Sequence, residues 1–386
     1  MMETLNIAFY SDTYLPAVDG VVTSITSMRS ELERRGHNVY LFVSGNEHTK
    51  RLVSKDPGIF VVPSAKFKKY PQYNIALFPF ITYFKFKKIK PDILHTHTPF
   101  SMGAYALLLG KLNRMPVVGS FHTLFTEKSV INEYFPASPM LKRYAVKYSW
   151  KYARYFYNRC DKTIVPSEAI KALVSRKGIR NAVTIPNGID TKRFNPGVDG
   201  SAIREHLLGH SKKKIVFYVG RLSKEKHLDV LIKAIKRLDS DYMLVVGGTG
   251  PAMDYYKNLV GRLNMHDRVK FVGFIDDKLL PKYYKAADLL CLPSTFETQG
   301  IVSLEAMAVG KPVVGADYLA LHEMIKNGKN GEKFKPGDAV SCASKIEKVI
   351  NNIDAYKETV STAKMYSVEN IASKLIDLYK EMLNNN

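Results

Sequence analysis

Short apolar runs alternate along the chain with segments that carry apolar residues at helical spacing. In the first half, a helical pattern from about Val21 to Arg35 separates two such runs, and Gly36 ends it. Unbroken apolar runs are typical of parallel strands buried on both faces, and helices between them predict a doubly wound α/β sheet. The predicted strands of this half are Asn6–Tyr10, Val39–Val43, Pro91–His97 and Pro116–Thr123. Two shorter segments follow: Asp161–Ser167, a strand with a helix cap, and Ala182–Asp190, a short strand with a turn.

A segment rich in proline, glycine and lysine, Asn195–Lys214, interrupts this alternation and is the best candidate for a domain boundary. Strand and helix patterns then restart. The predicted strands of the second half are Ile215–Val219, Met243–Val246, Val269–Val272, Leu289–Leu292 and Pro312–Gly315. We therefore expect a first domain over residues 1–195, a second over 196–367, and a C-terminal helix over 368–386 that is a candidate to cross back to the first domain.

The composition is that of a globular protein of a reducing compartment. The chain has 386 residues, enough for two domains with sizeable cores, and 46% of them are hydrophobic. Its three cysteines, Cys160, Cys291 and Cys342, are scattered and form no CxxC, which argues against a disulfide framework and a zinc site. No signal-like segment precedes the first strand pattern, so we expect a cytoplasmic protein.

The net charge of +21 is concentrated in one part of the chain. Residues 51–180 hold 23 lysines and arginines against 6 acidic residues, a net charge of +17. A positive field of this size attracts phosphate groups, on nucleic acid or on an anionic lipid surface. General solubility is the alternative explanation, and the localisation of the charge disfavours it.

Residues 138–159 predict a helix that is both basic and aromatic, and residues 66–90 are also rich in lysine and aromatic residues. Four cations recur on one side of the helix, a stripe of tyrosines follows beside them, and Trp150 lies close by. The cations are Arg143, Lys147, Lys151 and Arg154, and the tyrosines are Tyr144, Tyr148, Tyr152 and Tyr155. Such a helix is typical of membrane-surface elements, so we expect these cations and Trp150 to contact an anionic bilayer. The alternative is an aromatic helix packed in the core with a solvated lysine face.

The stretch Pro293–Gly315 carries the most specific chemistry. It follows a predicted buried strand with a loop that holds Glu297 and Gly300, a helix that holds Glu305, and the start of another strand. Ligands of open parallel sheets bind at the carboxyl ends of strands, beside helix N-termini. Carboxylates accept hydrogen bonds from hydroxyls and helix-start amides donate to phosphate, so a polyhydroxylated ligand that carries phosphate is favoured. The alternative is an ordinary α/β crossover with one surface and one helical glutamate.

Two cations follow the first strand of the second half. Gly220 turns the chain, Arg221 leaves the strand end, and Lys226 precedes the next predicted helix. Arginine binds phosphate as a fork and lysine as a point charge, so the two side chains can clamp a diphosphate and stabilise it as it departs without a metal. The alternative is two exposed basic residues in a basic protein.

Three loops and one histidine give weaker signals. Gly250 lies in the glycine-rich loop Gly247–Pro251, Phe274 follows another predicted strand, and Gly20 opens the first helix without a GxGxxG motif. His122 ends a predicted strand and is either a core residue or a group at the edge of a cleft.

We expect no metal ion and no cofactor. His95 and His97 alternate on one predicted strand, but no third ligand follows at a suitable spacing, so we interpret them as structural or cleft-lining. Asp239 and Asp241 imitate a DxD metal motif but precede a strand rather than follow one. The chain also lacks a G-x-S-x-G, a P-loop and a zinc signature, which disfavours hydrolases, kinases and metalloenzymes.

Taken together, these motifs resemble the retaining GT-B glycosyltransferases of family four. The resemblance covers nearly the whole chain, from the Gly20 loop through the Ser120–His122 motif, the Pro186–Asp190 turn and the Arg221/Lys226 motif to the Glu297/Glu305 signature. It implies two facing Rossmann-like domains and metal-independent transfer of a sugar from a nucleotide sugar with retention.

The resemblance also implies roles for individual residues. Glu305 would bind the ribose hydroxyls, Glu297 the hydroxyls of the donor sugar, and His122 its primary hydroxyl. Arg221 and Lys226 would carry the charge of the departing diphosphate. The remaining donor-binding candidates are Gly20, Gly220, Gly250, Phe274, Gln299, Gly300, Ile301 and Val302.

The residues after Glu297, Thr-Gln-Gly, depart from the commoner Pro-Phe-Gly of the family and resemble the diacylglycerol glycosyltransferases. We therefore expect a peripheral enzyme on the inner face of the cell membrane that moves glucose from UDP-glucose to a lipid such as diacylglycerol. The alternatives are a soluble sugar or polysaccharide glycosyltransferase, a non-transferring relative such as an epimerase, and a nucleic-acid-binding protein. No recognised nucleic-acid motif supports the last, so no nucleic-acid partner is expected.

Overall fold

The chain folds into two α/β units. A computed structural model describes residues 4–385 with the exception of 18, 67–73, 123, 125, 127–130 and 132–137. The first unit comprises Met1–Gly188 and Val368–Asn386, and the second comprises Ile189–Ser367. The division therefore lies before the boundary expected after residue 195, and the C-terminal segment groups with the first unit.

The first unit is built on a sheet in which, among the described residues, eight strands are joined. They are β1 (Asn6–Ser11), β2 (Asn38–Gly45), β3 (Ile59–Lys66), β4 (Asn74–Ala76), β5 (Ile93–Thr96), β6 (Val117–Ser120), β7 (Lys162–Val165) and β8 (Ala182–Thr184). Their order is β4-β3-β2-β1-β5-β6-β7-β8, and only β4 pairs antiparallel. Strands extend the sheet to both sides of β1, so the switch point of this unit lies between β1 and β5.

Helices cross between these strands. They are α1 (Gly20–Arg34), α2 (Glu47–Val53), α3 (Tyr83–Ile89), α4 (Ser101–Asn113), α5 (Pro139–Tyr157) and α6 (Glu168–Arg176). α1 begins after Asp19, whose carboxylate accepts hydrogen bonds from the amides of Val21 and Val22, both at 2.9 Å. α5 begins after Ser138, whose side chain caps the helix, and proline occupies its first position.

The second unit is built on a parallel sheet of six joined strands within its described residues. They are β9 (Lys214–Val219), β10 (Tyr242–Gly247), β11 (Val269–Gly273), β12 (Leu289–Leu292), β13 (Val313–Ala316) and β14 (Gly331–Phe334). The order is β11-β10-β9-β12-β13-β14, so the switch point lies between β9 and β12. The carboxyl ends of these two strands are therefore the expected ligand site of this unit.

The helices of the second unit cover its sheet. They are α7 (Ser201–Leu208), α8 (Leu228–Arg237), α9 (Met253–Arg262), α10 (Leu280–Ala286), α11 (Ile301–Ala308), α12 (Leu319–Met324), α13 (Ala339–Asn351) and α14 (Thr359–Met365). α7 lies within the segment Asn195–Lys214 that was expected to be a linker. Its Leu207 is buried in the core of this unit, so the segment is part of the domain and not a boundary.

The last helix, α15 (Val368–Asn384), belongs to the core of the first unit. Ile371, Leu375 and Tyr379 of α15 are buried in the same apolar cluster as Ile25 of α1 and Val39 of β2. This packing buries the apolar face of the helix and explains why it groups with the first unit.

Candidate functional site

The predicted residues of the second unit meet at its switch point. Gly220 and Arg221 follow β9 directly, and the loop with Glu297 and Gly300 follows β12, the strand paired beside it. Because parallel strands end at the same edge of a sheet, the two loops lie side by side there. The sequence motifs thus converge on the place where open α/β sheets bind ligands.

An ion pair joins the two loops. The Lys226 ammonium lies 2.7 Å from Glu297 Oε1, and the two side chains are 20% and 15% exposed. Beside it, His227 Nε2 lies 3.0 Å from the Thr295 hydroxyl. A partly buried ion pair of this kind holds a cation and a carboxylate in fixed positions at the ligand edge. A diphosphate can replace the carboxylate beside Lys226, and sugar hydroxyls can donate to Glu297.

Arg221 is exposed at the end of β9. The hydroxyl of Tyr218 donates to the Arg221 carbonyl at 3.3 Å, and Tyr218 is itself fully buried. The backbone from which the guanidinium extends is therefore fixed to the core.

Hydrogen bonds connect the loops that follow β9, β10 and β11. The amide of Gly248 donates to the Gly273 carbonyl at 2.7 Å, and the amide of Leu222 donates to the Thr249 carbonyl at 3.0 Å. A Cβ at Gly250 would lie 2.4 Å from the Leu222 carbonyl oxygen, so only glycine fits there. Gly250 is therefore required for the packing of two loops. Its contact with a ligand stays a prediction.

Gly300 sets the start of α11. It has φ 76°, a left-handed conformation that favours glycine, and it precedes the first residue of the helix. Ile301 and Val302, the first helical residues, are partly buried, and Gln299 is 2% exposed. The helix therefore starts at the carboxyl edge of the sheet, and phosphate binding by its first amides stays a prediction.

Glu305 lies farther along α11 and is 9% exposed. The Tyr284 hydroxyl donates to Glu305 Oε2 at 2.7 Å. Burial raises the pKa of Glu305 to about 7, while the Tyr284 hydrogen bond and the Arg193 charge oppose the rise and Asp277 adds to it. The carboxylate therefore changes charge near neutral pH, and its ionised form accepts hydrogen bonds from hydroxyl groups.

Phe274 follows β11 at the same edge of the sheet. Its side chain is 63% exposed, which is unusual for a phenylalanine beside a core. It lies at the carboxyl end of β11, at the edge of the sheet where the sequence analysis expected donor-binding residues.

His122 lies in the first unit, after β6, in a row of three histidines. Its Nε2 lies 3.1 Å from His97 Nδ1, and the rings of His97 and His95 stack with centroids 4.3 Å apart. The nitrogens of His95 lie 2.6 Å from the Tyr379 hydroxyl and 2.7 Å from the Ser120 hydroxyl. Burial lowers the pKa of His122 to about 4 and that of His95 to about 3, so both are neutral near pH 7. His95 is a satisfied core residue, in agreement with its structural interpretation.

Gly20 is the exposed first residue of α1. The carboxylate of Asp19 already occupies the amides of Val21 and Val22 at this helix start. Burial raises the pKa of Asp19, but an ionised carboxylate here would repel an anion. The helix start after Gly20 is therefore less suited to bind a phosphate than the helix start after Gly300.

The basic aromatic helix α5 exposes its predicted cations and most of its tyrosine stripe, but it buries Trp150. Arg143, Lys147, Lys151 and Arg154 are all exposed. Tyr144, Tyr148 and Tyr155 are 48%, 58% and 57% exposed, so their stripe is not packed in the core. Trp150, in contrast, is 8% exposed and stacks on Phe121, with ring centroids 6.4 Å apart. The prediction that Trp150 faces a bilayer is therefore wrong, because the indole closes the core beneath the helix.

A second exposed apolar region occurs between β4 and the end of α3, which we call the aromatic segment (residues 74–89). Five large apolar side chains of this segment are more than half exposed: Leu77, Phe78, Phe80, Ile81 and Phe84, the last at 85%. Lys85, Lys87 and Lys88 are exposed beside them. Large contiguous apolar surface bordered by lysines is typical of membrane and protein contact sites. The first part of the predicted basic region, residues 67–73, lies outside the described residues.

No three His, Cys, Asp or Glu side chains in the described part of the chain are grouped so that they could hold a metal ion. Asp239 and Asp241 precede β10, at the opposite edge of the sheet from the site, and Asp241 pairs with Lys214 at 3.0 Å. No helix among the described ranges is both long and apolar enough to cross a bilayer.

The sequence did not reveal how the site residues are paired. Tyr284 and Arg193 lie far from Glu305 in the chain, and no spacing connects them with it. The pairing of Lys226 with Glu297 follows only from the neighbouring positions of β9 and β12. A prediction of the complete strand order would have placed Lys226 beside Glu297. It would not have placed Tyr284 beside Glu305.

Two family models match successive parts of the chain. The model of Glycosyltransferase Family 4 matches residues 18–193, and that of Glycosyl transferases group 1 matches residues 201–365. The two matched ranges fall on the first and second structural units.

Individual relatives and solved structures are similar to this chain over nearly its full length. The chain is 29% identical to the alpha-monoglucosyldiacylglycerol synthase of Streptococcus pneumoniae over 99% of this chain and 87% of that one. It is 27% identical to the enzyme of the same name from Acholeplasma laidlawii over 99% and 98%. The crystal structure of Anabaena HepE in complex with UDP and glucose matches 98% of this chain and 100% of its own, with a TM-score of 0.76 and 22% identity.

Proposed function

The chain belongs to the glycosyltransferases of family 4 and group 1, with a GT-B fold, and we propose that it transfers glucose from UDP-glucose to a membrane lipid such as diacylglycerol. In this proposal the reaction retains the anomeric configuration and needs no metal ion. The observation that carries it is the pairing of Lys226 with Glu297 at the switch point of the second unit, with Glu305 on the helix that follows the same loop.

The donor nucleotide would bind at the carboxyl edge of this sheet. Glu305 would accept hydrogen bonds from the ribose hydroxyls, and the amides that start α11 would donate to the diphosphate. The base would lie near the backbone of Phe274. The UDP-bound state of the structurally similar HepE supports a uridine nucleotide as the donor class.

Arg221 and Lys226 would stabilise the transfer step electrostatically. As the bond between the sugar C1 and the diphosphate breaks, negative charge grows on the leaving oxygen, and two fixed cations lower the energy of that state. The acceptor hydroxyl forms the new bond to C1 from the same face and gives its proton to the leaving phosphate. Glu297 would bind hydroxyls of the donor sugar. His122, as a neutral imidazole, would bind the primary hydroxyl of that sugar.

The lipid acceptor is supported by the relatives and by the surface of the first unit. Both of the monoglucosyldiacylglycerol synthases align over nearly the whole chain. The aromatic segment and the exposed cations of α5 give this unit apolar and positive surface, the combination that binds anionic bilayers. We therefore propose a peripheral enzyme that takes its acceptor from the inner face of the cell membrane.

A donor panel tests this proposal. The purified protein is incubated with UDP-, GDP- and ADP-sugars, and release of nucleoside diphosphate is measured with diacylglycerol in anionic vesicles, with soluble sugars, or without acceptor. We expect release from UDP-glucose that depends on diacylglycerol. Release that depends on soluble sugars alone would favour a soluble glycosyltransferase, and a changed sugar nucleotide without acceptor would indicate an epimerase.

A further inference from the structure

The cations of α5 line a groove and do not form a flat face. The groove has a volume of about 1220 Å³ and lies between α5 and the end of α6. Lys142 joins the four cations predicted from the sequence, and α6 contributes Arg176 and Lys177. Among the described residues that line it, none carries a carboxylate.

Within the part of the chain that the structure describes, no ion pair compensates this positive charge. None of the seven cations forms an ion pair with any residue that the structure describes, although the chain holds 36 acidic residues. Like charges held at one concave surface repel one another, and that repulsion is relieved when an anion enters. The groove therefore favours a ligand with at least one phosphate group.

Part of the groove lining is apolar. Trp150 and Val146 are among the lining residues, and the Lys177 ammonium stands 5.3 Å from the centroid of the Trp150 ring. A cation over an indole face is held in place by the ring quadrupole. Cations beside apolar lining match an amphiphile, in which a phosphate is joined to a glycerol and acyl chains, better than they match free phosphate.

We propose that this groove is a discrete binding site for the headgroup of an anionic phospholipid. The inference rests on the proposed function insofar as that function brings the protein to a membrane. It adds a specific lipid site to general electrostatic attraction, and it assigns Arg176 and Lys177 to that site. The exposed Met140 and Leu141, 67% and 61% exposed at the start of α5, extend apolar surface from the groove toward the bilayer.

The chain contains a single tryptophan, so the fluorescence of Trp150 reports directly on the groove. The full-length protein is titrated at constant ionic strength with short-chain phosphatidylglycerol below its micelle concentration. Parallel titrations use short-chain phosphatidylcholine, glycerol 3-phosphate, inorganic phosphate and a short RNA. No donor nucleotide is present, so the outcome is independent of whether the transfer reaction is correctly assigned.

We expect a saturable change with phosphatidylglycerol and binding about tenfold or more weaker for the other probes. The variant Arg176→Ser/Lys177→Ser should weaken phosphatidylglycerol binding by a similar factor. Its charge-matched control, Arg51→Ser/Lys55→Ser, removes one arginine and one lysine of the same unit outside the groove and should bind like the wild type. Phosphatidylglycerol with brominated chains should quench Trp150.

Other results would overturn the proposal. Equal affinity for inorganic phosphate or glycerol 3-phosphate would indicate a site for free phosphate, and tighter binding of RNA would indicate a nucleic-acid surface. Equal affinity for phosphatidylcholine would show that charge plays no part. If Arg176→Ser/Lys177→Ser binds phosphatidylglycerol as tightly as the wild type, the groove is not the binding site.

Discussion

Glu305 shows how a buried side chain links stability with ligand binding. Its pKa rises from 4.5 to about 7, so the folded protein holds a proton that the unfolded chain releases between these values. Folding therefore becomes less favourable as pH rises through this range, by about 3 kcal/mol in total. An uncharged side chain at position 305 would avoid this loss of stability at neutral pH. The presence of a glutamate there therefore favours a role in ligand binding.

The first prediction concerns the pH dependence of nucleotide binding. If the ionised Glu305 accepts hydrogen bonds from ribose, the affinity for UDP should fall as pH decreases through about 7. Tyr284→Phe removes a hydrogen bond that lowers this pKa, so the midpoint should move to higher pH. Calorimetric titrations with UDP across the neutral range measure both. An affinity that does not change with pH, in both proteins, would exclude this role for Glu305.

The second prediction separates the clamp from the sugar contact. Arg221→Ala and Lys226→Ala should each lower turnover on the order of a hundredfold or more, because a fixed charge at the leaving group is lost. Glu297→Ala should impair turnover while UDP affinity changes little, and Glu305→Ala should chiefly weaken UDP binding. Lys224→Ala, an exposed lysine of the same turn, is the control and should retain normal turnover.

The clamp variants also test the ion pair between Lys226 and Glu297. Because each residue stabilises the other in the free protein, the double variant should differ from the sum of the single ones. Wild-type turnover in both Arg221→Ala and Lys226→Ala would show that the clamp assignment is wrong.

At the scale of elements, the apolar runs predicted most strands to within one or two residues, because buried parallel strands have an unmistakable hydrophobic pattern. β3, β4 and β14 were not predicted. β14 was missed because its sequence, Gly-Glu-Lys-Phe, contains two charged residues. Glu332 is fully buried there and is neutralised by Lys345 and Lys348 of α13, at 3.2 and 2.8 Å. A local pattern cannot show such a tertiary pairing.

The candidate-site residues that belong to sequence motifs could be predicted. Those that reach the candidate site only through tertiary contacts could not. Glu297, Glu305 and Arg221 follow from their positions after strands, whereas Tyr284 enters the site through the packing of α10 against α11. Trp150 was misplaced for the same reason. Helical spacing places it near the cationic side, but only the contact with Phe121 shows that it is buried.

The third prediction compares two membrane-binding elements of the first unit. Changing Arg143, Lys147, Lys151 and Arg154 to serine should weaken binding to anionic liposomes by up to about 4 kcal/mol at low salt and little at high salt. Phe80→Ser/Phe84→Ser should weaken it at both salt concentrations, because apolar contacts are not screened. Sedimentation with liposomes measures both, and UDP binding should persist in each variant.

One control completes this comparison. Tyr255→Ser changes an aromatic residue of the second unit that is 40% exposed and should leave liposome binding unchanged. If the quadruple variant and the phenylalanine variant both sediment like the wild type, the first unit does not bind the membrane through these elements.

At the scale of the whole molecule, the two units differ in charge as they differ in proposed role. Residues 51–180 account for +17 of the total of +21, and they lie in the first unit. An anionic surface would therefore attract the first unit much more strongly than the second. On the proposed function, this field would bring the first unit to the bilayer, and the proposed donor site lies in the second unit.

The fourth prediction follows from the cations at the donor site. Since Arg221 and Lys226 provide positive charge for the diphosphate, EDTA should leave the transfer rate unchanged. Rates with and without added magnesium or manganese measure this. A complete loss in EDTA that either metal restores would instead require a metal site, with Asp239 and Asp241 as the first residues to change.

The central claim is transfer of glucose to a lipid with retention, and the structure of the product tests it most directly. The protein is incubated with UDP-glucose and diacylglycerol in anionic vesicles, and the anomeric configuration of the extracted lipid is determined by proton NMR. We expect α-glucosyldiacylglycerol, since the glucose of the donor is α-linked. A β-linked product would contradict retention, and the absence of any glycolipid while UDP-glucose is consumed would contradict the lipid acceptor.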